Sequence, residues 1–172
     1  MKFSFAVLAS AFLVAQATAA PAEAASLQGC PRGKTTTLYR SWNARNSDHF
    51  YTTSAKEQRD AVPQGWSPEG APGRVYTDSV RDAKPLYRLW NAGSSDHFYT
   101  ADGQEARNAR NLGYVSEGNM GYVLSRPCPG SKPLYRHWNA GNTDHFYTSD
   151  KSESDHARTI GYAYEGITGY IL

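Results

Sequence analysis

The chain has 172 residues, with 18 Lys+Arg against 16 Asp+Glu and a formal net charge of +2. No basic run or stripe interrupts that balance, so the electrostatic footprint of a nucleic-acid binder is missing, as is the basic amphipathic segment of a membrane-surface helix. Twelve Tyr and four Trp lift the aromatic share to 13%, a composition that builds β cores and also supplies flat faces for stacking ligands.

From the amino end, Lys2, the small and apolar run Phe3–Val14, and the small-x-small pattern Ala17-Thr18-Ala19 read as a secretory signal peptide. The sequence therefore predicts a leader over residues 1–19 and a mature chain from Ala20. No apolar segment reaches the ~20 residues of a transmembrane helix. The expectation is a secreted, extracellular, soluble protein with no membrane partner. Residues 20–37 form a lead-in containing Cys30, and Cys128 follows much later. In an exported chain two cysteines read as a structural disulfide, Cys30–Cys128, more readily than as redox or metal ligands.

Leu38-Tyr39-Arg40, Leu86-Tyr87-Arg88 and Leu134-Tyr135-Arg136 open three units at a spacing of 48 residues, aligned without a gap: 38–85, 86–133 and 134–172. Within each, Leu-Tyr-Arg-x-Trp-Asn reads as a strand and Asp-His-Phe-Tyr-Thr (Asp48–Thr52, Asp96–Thr100, Asp144–Thr148) as a second, joined as a hairpin. Ser54/Glu57, Asp102/Glu105 and Asp150/Glu153 then have the spacing of a reciprocal capping box. The short helix that follows has Ala61, Ala109 or Ala157 on its inner face and stops at Gly65, Gly113 or Gly161. A Glu-Gly-x-x-Gly turn and a last strand complete four strands and one helix per unit.

Units this short cannot bury an apolar face alone, so neighbours must complete the core. The expected fold is mainly β with short helices. Its three 48-residue repeats form one closed pseudo-threefold, β-trefoil-like domain over 38–172, which leaves no strand edge open.

The pattern L-Y-R-x-W-N, D-H-F-Y-T and E-G-x-x-G resembles a repeat family known as a domain of unknown function, found in secreted fungal and bacterial proteins, sometimes beside hydrolase modules. The resemblance spans Leu38 to Leu172. It implies a lectin-like, β-trefoil-type accessory role in carbohydrate or cell-wall binding, and it carries no established site residues.

Trp42, Trp90 and Trp138 admit two readings: core packing, or stacking platforms for sugar rings. On the second reading Asn43, Asn91 and Asn139, with Asp48, Asp96 and Asp144, supply the hydrogen bonds around each platform. His49, His97 and His145 recur at equivalent places. Three such side chains on an axis would suit a divalent metal, but fixing each hairpin to its neighbouring turn is the favoured role, and no metal or other cofactor is expected. His137 and His156 have no mates and are expected on the surface. Arg40, Arg88 and Arg136 are expected to pair with Glu69, Glu117 and Glu165 in their own units.

Every notable polar residue occurs three times, whereas catalytic constellations are singular, and no nucleophile elbow, metalloprotease or nucleotide motif is present. The sequence therefore predicts a monomeric, non-catalytic module with a glycan or cell-wall polymer as partner. Two alternatives stand beside it. One is a hydrolase acting on glycans or peptidoglycan, the other a purely structural or protein-interaction domain. Unit one departs most from the pattern, at Arg45, Pro63 and Arg74, which predicts a weakened site there.

Overall fold

The computed structural model describes residues 29–172, so the signal-peptide reading lies outside the described residues. The fold is mainly β. Among the described residues nine strands form one antiparallel sheet, with a helix after the second strand of each unit: β1 Thr35–Asn43, β2 Asp48–Thr52, α1 Ala55–Ala61, β3 Ser67–Tyr76, β4 Ala83–Asn91, β5 Asp96–Thr100, α2 Gly103–Arg110, β6 Val115–Leu124, β7 Lys132–Asn139, β8 Asp144–Thr148, α3 Lys151–Thr159 and β9 Ala163–Ile171. The sheet runs β2-β1-β3-β6-β9-β7-β8, with β4 and β5 branching from β6.

Each unit contributes three strands, not the expected four. The Glu-Gly-x-x-Gly segment is not a turn. It lies inside β3, β6 and β9, where Gly70, Gly118 and Gly166 adopt positive φ and the ladders to β1, β4 and β7 shift register. A glycine accepts that backbone at no steric cost, so the strand bends through the bulge and continues.

The hairpins form as read. Trp42 pairs with His49, Trp90 with His97 and Trp138 with His145, the turn between them closing through a positive-φ residue, Ser47, Ser95 or Thr143. The helices also start where expected, but the capping boxes are one-sided. Ser54 Oγ accepts from the Glu57 N–H at 3.1 Å, whereas the Ser54 N–H is satisfied by Thr52 Oγ1 at 3.0 Å, which frees the Glu57 carboxylate for a neighbouring unit.

The core sits where the second strands meet. Leu38, Leu86 and Leu134 join Val75, Val123 and Ile171 around three fully buried tyrosines, Tyr51, Tyr99 and Tyr147. On the other face of the first strands, Ser41, Leu89 and His137 lie buried beneath α1, α2 and α3. His137, expected on the surface, is thus completely buried, with Nε2 3.1 Å from Ser154 Oγ of α3. Burial holds its pKa below the ordinary histidine value.

Beyond the ladders, Tyr76 pairs with Tyr122 and Leu124 with Tyr170. At the corresponding columns Arg74 and Leu172 exchange main-chain hydrogen bonds of 2.6 and 2.9 Å. Cys30 and Cys128 form a disulfide with their Cα atoms 5.1 Å apart, tying the lead-in to the segment before β7. Among the described residues no helix is long and apolar enough to cross a membrane.

Candidate functional site at the junctions between units

The grooves of interest lie where the hairpin of one unit meets the helix of the unit before it. At the junction of units one and two, Arg88, Trp90, His97 and Glu117 face Phe50, Glu57 and Trp66 across a depression of about 550 Å³. At the junction of units three and one, Arg40, Trp42, His49 and Glu69 face Phe146, Glu153 and Tyr162 across about 360 Å³. The same contacts recur between units two and three, around Arg136, Trp138 and His145.

Arginine anchors each groove. Arg40 lies in ion-pair contact with Glu69 of its own unit, Nε to Oε2 3.0 Å, as expected. It also donates from both terminal nitrogens to Glu153 of the preceding helix, at 2.9 and 2.8 Å, and lies 5.2 Å from the centre of the Phe146 ring. Arg88 repeats this with Glu117, Glu57 and Phe50, and Arg136 with Glu165, Glu105 and Phe98. Burial disfavours the Arg40 charge, but the two carboxylates outweigh it and hold the guanidinium above its ordinary pKa. For Glu57, Glu105 and Glu153 burial likewise acts against the charge, yet the paired arginine and a threonine hydroxyl hold each carboxyl below its usual range.

Histidine stands behind the tryptophan. The His49 ring lies 4.5 Å from that of Trp42, with corresponding separations of 4.4 Å for His97 on Trp90 and His145 on Trp138. Its orientation is fixed from another unit: Asp144 Oδ1 accepts from the His49 N–H at 2.9 Å and Oδ2 lies 2.7 Å from Nδ1. Asp48 holds His97 and Asp96 holds His145 in the same way, so the three pairs form a ring. The histidines therefore do fix hairpins, but to the unit before rather than to their own turn. Their outer Nε2 atoms face the grooves, 3.7 to 3.8 Å from Glu69, Glu117 and Glu165.

The nine residues expected around the platforms are thus separated by the structure. Trp42 and Trp90 are half-buried and line the two grooves, and Trp138 is half-buried against His145. Asp48, Asp96 and Asp144 do not surround them. They are 0% exposed, turned inward and spent on histidine, because a charge at that depth needs its hydrogen-bond partners inside the protein. Their oxygens approach within 4.8 Å of one another. Tyr114 donates to Asp96, and Tyr162 to Asp144 at 2.5 Å, whereas unit one has Trp66 in that column. Burial raises the Asp48 pKa, with the His97 bonds acting against it. Asn43, Asn91 and Asn139 are also occupied. The Asn91 Oδ1 accepts from Gly93 and Ser94 N–H groups to close the hairpin, and its Nδ2 donates to Leu112 O beyond α2.

Sequence reasoning placed Arg with Glu correctly within a unit but missed the second carboxylate from the preceding helix. The signal was there: the helix glutamate recurs in all three units, yet a capping box already accounted for it. What the groove offers a ligand is a flat indole edge, a fixed imidazole nitrogen and a charge-neutralised Arg–Glu lattice.

No curated protein and no solved structure matches the chain. The sequence profile of the family described as "Domain of unknown function (DUF5648)" matches residues 37–172, which is most of the chain, and the protein belongs to that family.

Proposed function

We propose that this protein is a secreted, monomeric, non-catalytic module that binds a glycan or cell-wall polymer multivalently, one groove per junction, from a closed pseudo-threefold, β-trefoil-like body. Closure is supported by the Arg74–Leu172 main-chain bonds, which supply a third link beside the Tyr76–Tyr122 and Leu124–Tyr170 pairs. The disulfide is compatible with an oxidising, extracellular setting.

The observation that carries the binding reading is the tryptophan–histidine pair at the groove, half-buried and recurring at every junction beside polar groups that are already neutralised. Such a surface suits a ligand with a flat CH face and many hydroxyls and offers little to a strongly charged one. Because each groove needs two units, the smallest complete binding unit is a pair of neighbours. Linked weak sites gain about 10²–10⁴-fold in avidity for a polyvalent target.

Depletion isotherms on insoluble chitin, cellulose, β-1,3-glucan and peptidoglycan test this, alongside calorimetry with the matching monosaccharides. Trp90→Ala weakens one groove by about 1–3 kcal/mol, by analogy with aromatic stacking elsewhere, and lowers polymer avidity more than monosaccharide affinity. Absence of depletion on all four polymers, or identical isotherms for the wild type and Trp90→Ala, sinks the reading.

One observation favours the hydrolase alternative: His49 Nε2 faces a groove with Asp144 behind it, the arrangement of an oriented base. Release of soluble sugar or peptide from the same polymers would decide for it.

A further inference from the structure

The groove between units one and two differs from the other two in one aromatic side chain. Trp66 stands in the column of Tyr114 and Tyr162, whose hydroxyls donate inward to Asp96 and Asp144. An indole has no hydroxyl to send there. Trp66 is half-buried on the same groove lining as Trp90, its ring centre 5.4 Å from that of Phe50 and 5.7 Å from that of His97. His97 therefore lies against two indoles, whereas His49 and His145 each lie against one. The Trp90 and Trp66 planes make angles of 39° and 71° with the His97 ring, so the two indoles are not coplanar. This groove is also larger than that between units three and one, at about 550 Å³ against 360 Å³. Gln64, an exposed amide on its lining, replaces the exposed apolar Leu112 and Ile160 of the corresponding columns.

We propose that this groove binds two successive rings of a neutral glycan whose chain bends, as a β-1,3- or α-1,4-linked glucan does, with Trp90 as one platform and Trp66 as the second. The proposal rests on the binding role stated above and adds the linkage class. Each indole takes the CH face of one pyranose ring. Neighbouring rings of a β-1,4 chain form a flat ribbon, which matches coplanar platforms. A β-1,3 or α-1,4 linkage inclines each ring to the next, which matches two inclined ones. The charges on the lining are paired, Arg88 with Glu57 and Glu117, Lys56 with Asp60 and His97 with Asp48, so the groove favours a neutral chain over an acidic or an aminated one. Gln64 offers its amide to the hydroxyls of the second ring. The substitutions that set unit one apart in the sequence, Arg45, Pro63 and Arg74, do not line this groove, whereas Trp66 does.

The test follows the indole N–H signals of the four tryptophans in ¹⁵N-labelled protein during titration with laminaribiose, maltose, cellobiose and methyl β-glucoside. Laminaribiose or maltose should move the Trp66 and Trp90 signals along one isotherm, and the one that does so names the linkage. It should bind there about tenfold tighter than methyl β-glucoside, as expected for one further stacked ring. Cellobiose should gain nothing over the glucoside. Trp66→Tyr, which installs the residue of the other two units, should remove the advantage of the disaccharide over the glucoside. The proposal is overturned if cellobiose binds as tightly as laminaribiose and maltose, if Trp66→Tyr keeps the disaccharide advantage, or if that variant weakens both ligands equally, which marks Trp66 as structural. The comparison of disaccharides on the unmodified protein decides alone should the variant fail to fold. In each of these cases the Trp90 signal still moves and the binding role stands. A Trp90 signal that no sugar moves, together with no depletion on any of the four polymers, overturns both.

Discussion

The hydroxyl of Tyr99 donates to the main-chain carbonyl of Tyr51 and accepts from the Tyr51 N–H, both at 2.8 Å. Tyr147 does the same for residue 99, and Tyr51 for residue 147. Three phenols thus satisfy six buried main-chain groups where the second strands of all units meet and have no ladder partner on that side. The phenols must stay neutral to donate, and burial keeps their pKa values well above the ordinary tyrosine value.

Tyr99→Phe keeps the ring and removes one hydroxyl, stranding a buried N–H and a buried C=O. Each such group costs about 1–3 kcal/mol, partly relieved by relaxation, so a loss of about 2–4 kcal/mol is expected. Urea unfolding should show a lowered midpoint with the slope unchanged. A loss below about 0.5 kcal/mol, the ordinary range of a neutral surface change, would show that the ring does not hold the centre together.

Asp48→Ala removes the acceptor of both the His97 N–H and its Nδ1, and breaking such a buried pair costs about 3–5 kcal/mol. Asp48→Asn keeps an acceptor for the N–H and should cost clearly less. The carboxyl's raised pKa shows that the site already disfavours its charge. Equilibrium denaturation of both variants checks the order.

Stability should fall with acid in two stages. The folded-state pKa of His137 is depressed, so its neutral form is favoured by folding, and stability is lost as pH falls from about 6.5 toward that lower value. The folded-state pKa values of Glu57, Glu105 and Glu153 are also depressed. Their contribution is present above the unfolded pKa of about 4.5 and is lost as pH falls through the folded one. Asp48, raised, acts in the opposite direction over the carboxylate range. His137→Leu, the residue that unit two has as Leu89, should remove the first stage alone. Melting temperatures from pH 8 to pH 3 measure both.

The Cys30–Cys128 bridge spans 98 positions. Reducing it should destabilise the fold by about 4–5 kcal/mol on the chain-entropy account. Intact mass with and without reductant and alkylation checks the bridge itself, and two freely alkylating thiols in the unreduced native protein would refute it.

Dialysis against a strong chelator should leave the melting temperature unchanged, because each carboxylate of the Asp48, Asp96, Asp144 ring already has a histidine main-chain and side-chain partner. A large drop, with stoichiometric metal by elemental analysis, would assign that ring to an ion.

The sequence by itself determined the unit, the hairpin from Trp-Asn to Asp-His, the helix start, the Gly-terminated helix end and the pairing of Arg40 with Glu69, because all of these are set by residues close in the chain or by strict recurrence. Only the tertiary structure decided what crosses between units. Asp144 reaches His49, Glu153 reaches Arg40 and Tyr99 reaches Tyr51, and no local pattern tells a recurring polar residue aimed at its own unit from one aimed at the next. The variable column of the first strand shows the same limit. Ser41, Leu89 and His137 differ so much in polarity that the position reads as surface, yet all three are buried under a helix whose facing residue changes with them: Gln58 on Ser41, Ala106 in the cluster with Leu89, Ser154 on His137. Burial there is set by a helix packed across the strand, and each pair keeps its own polar or apolar match, so the chemistry varies while the depth does not.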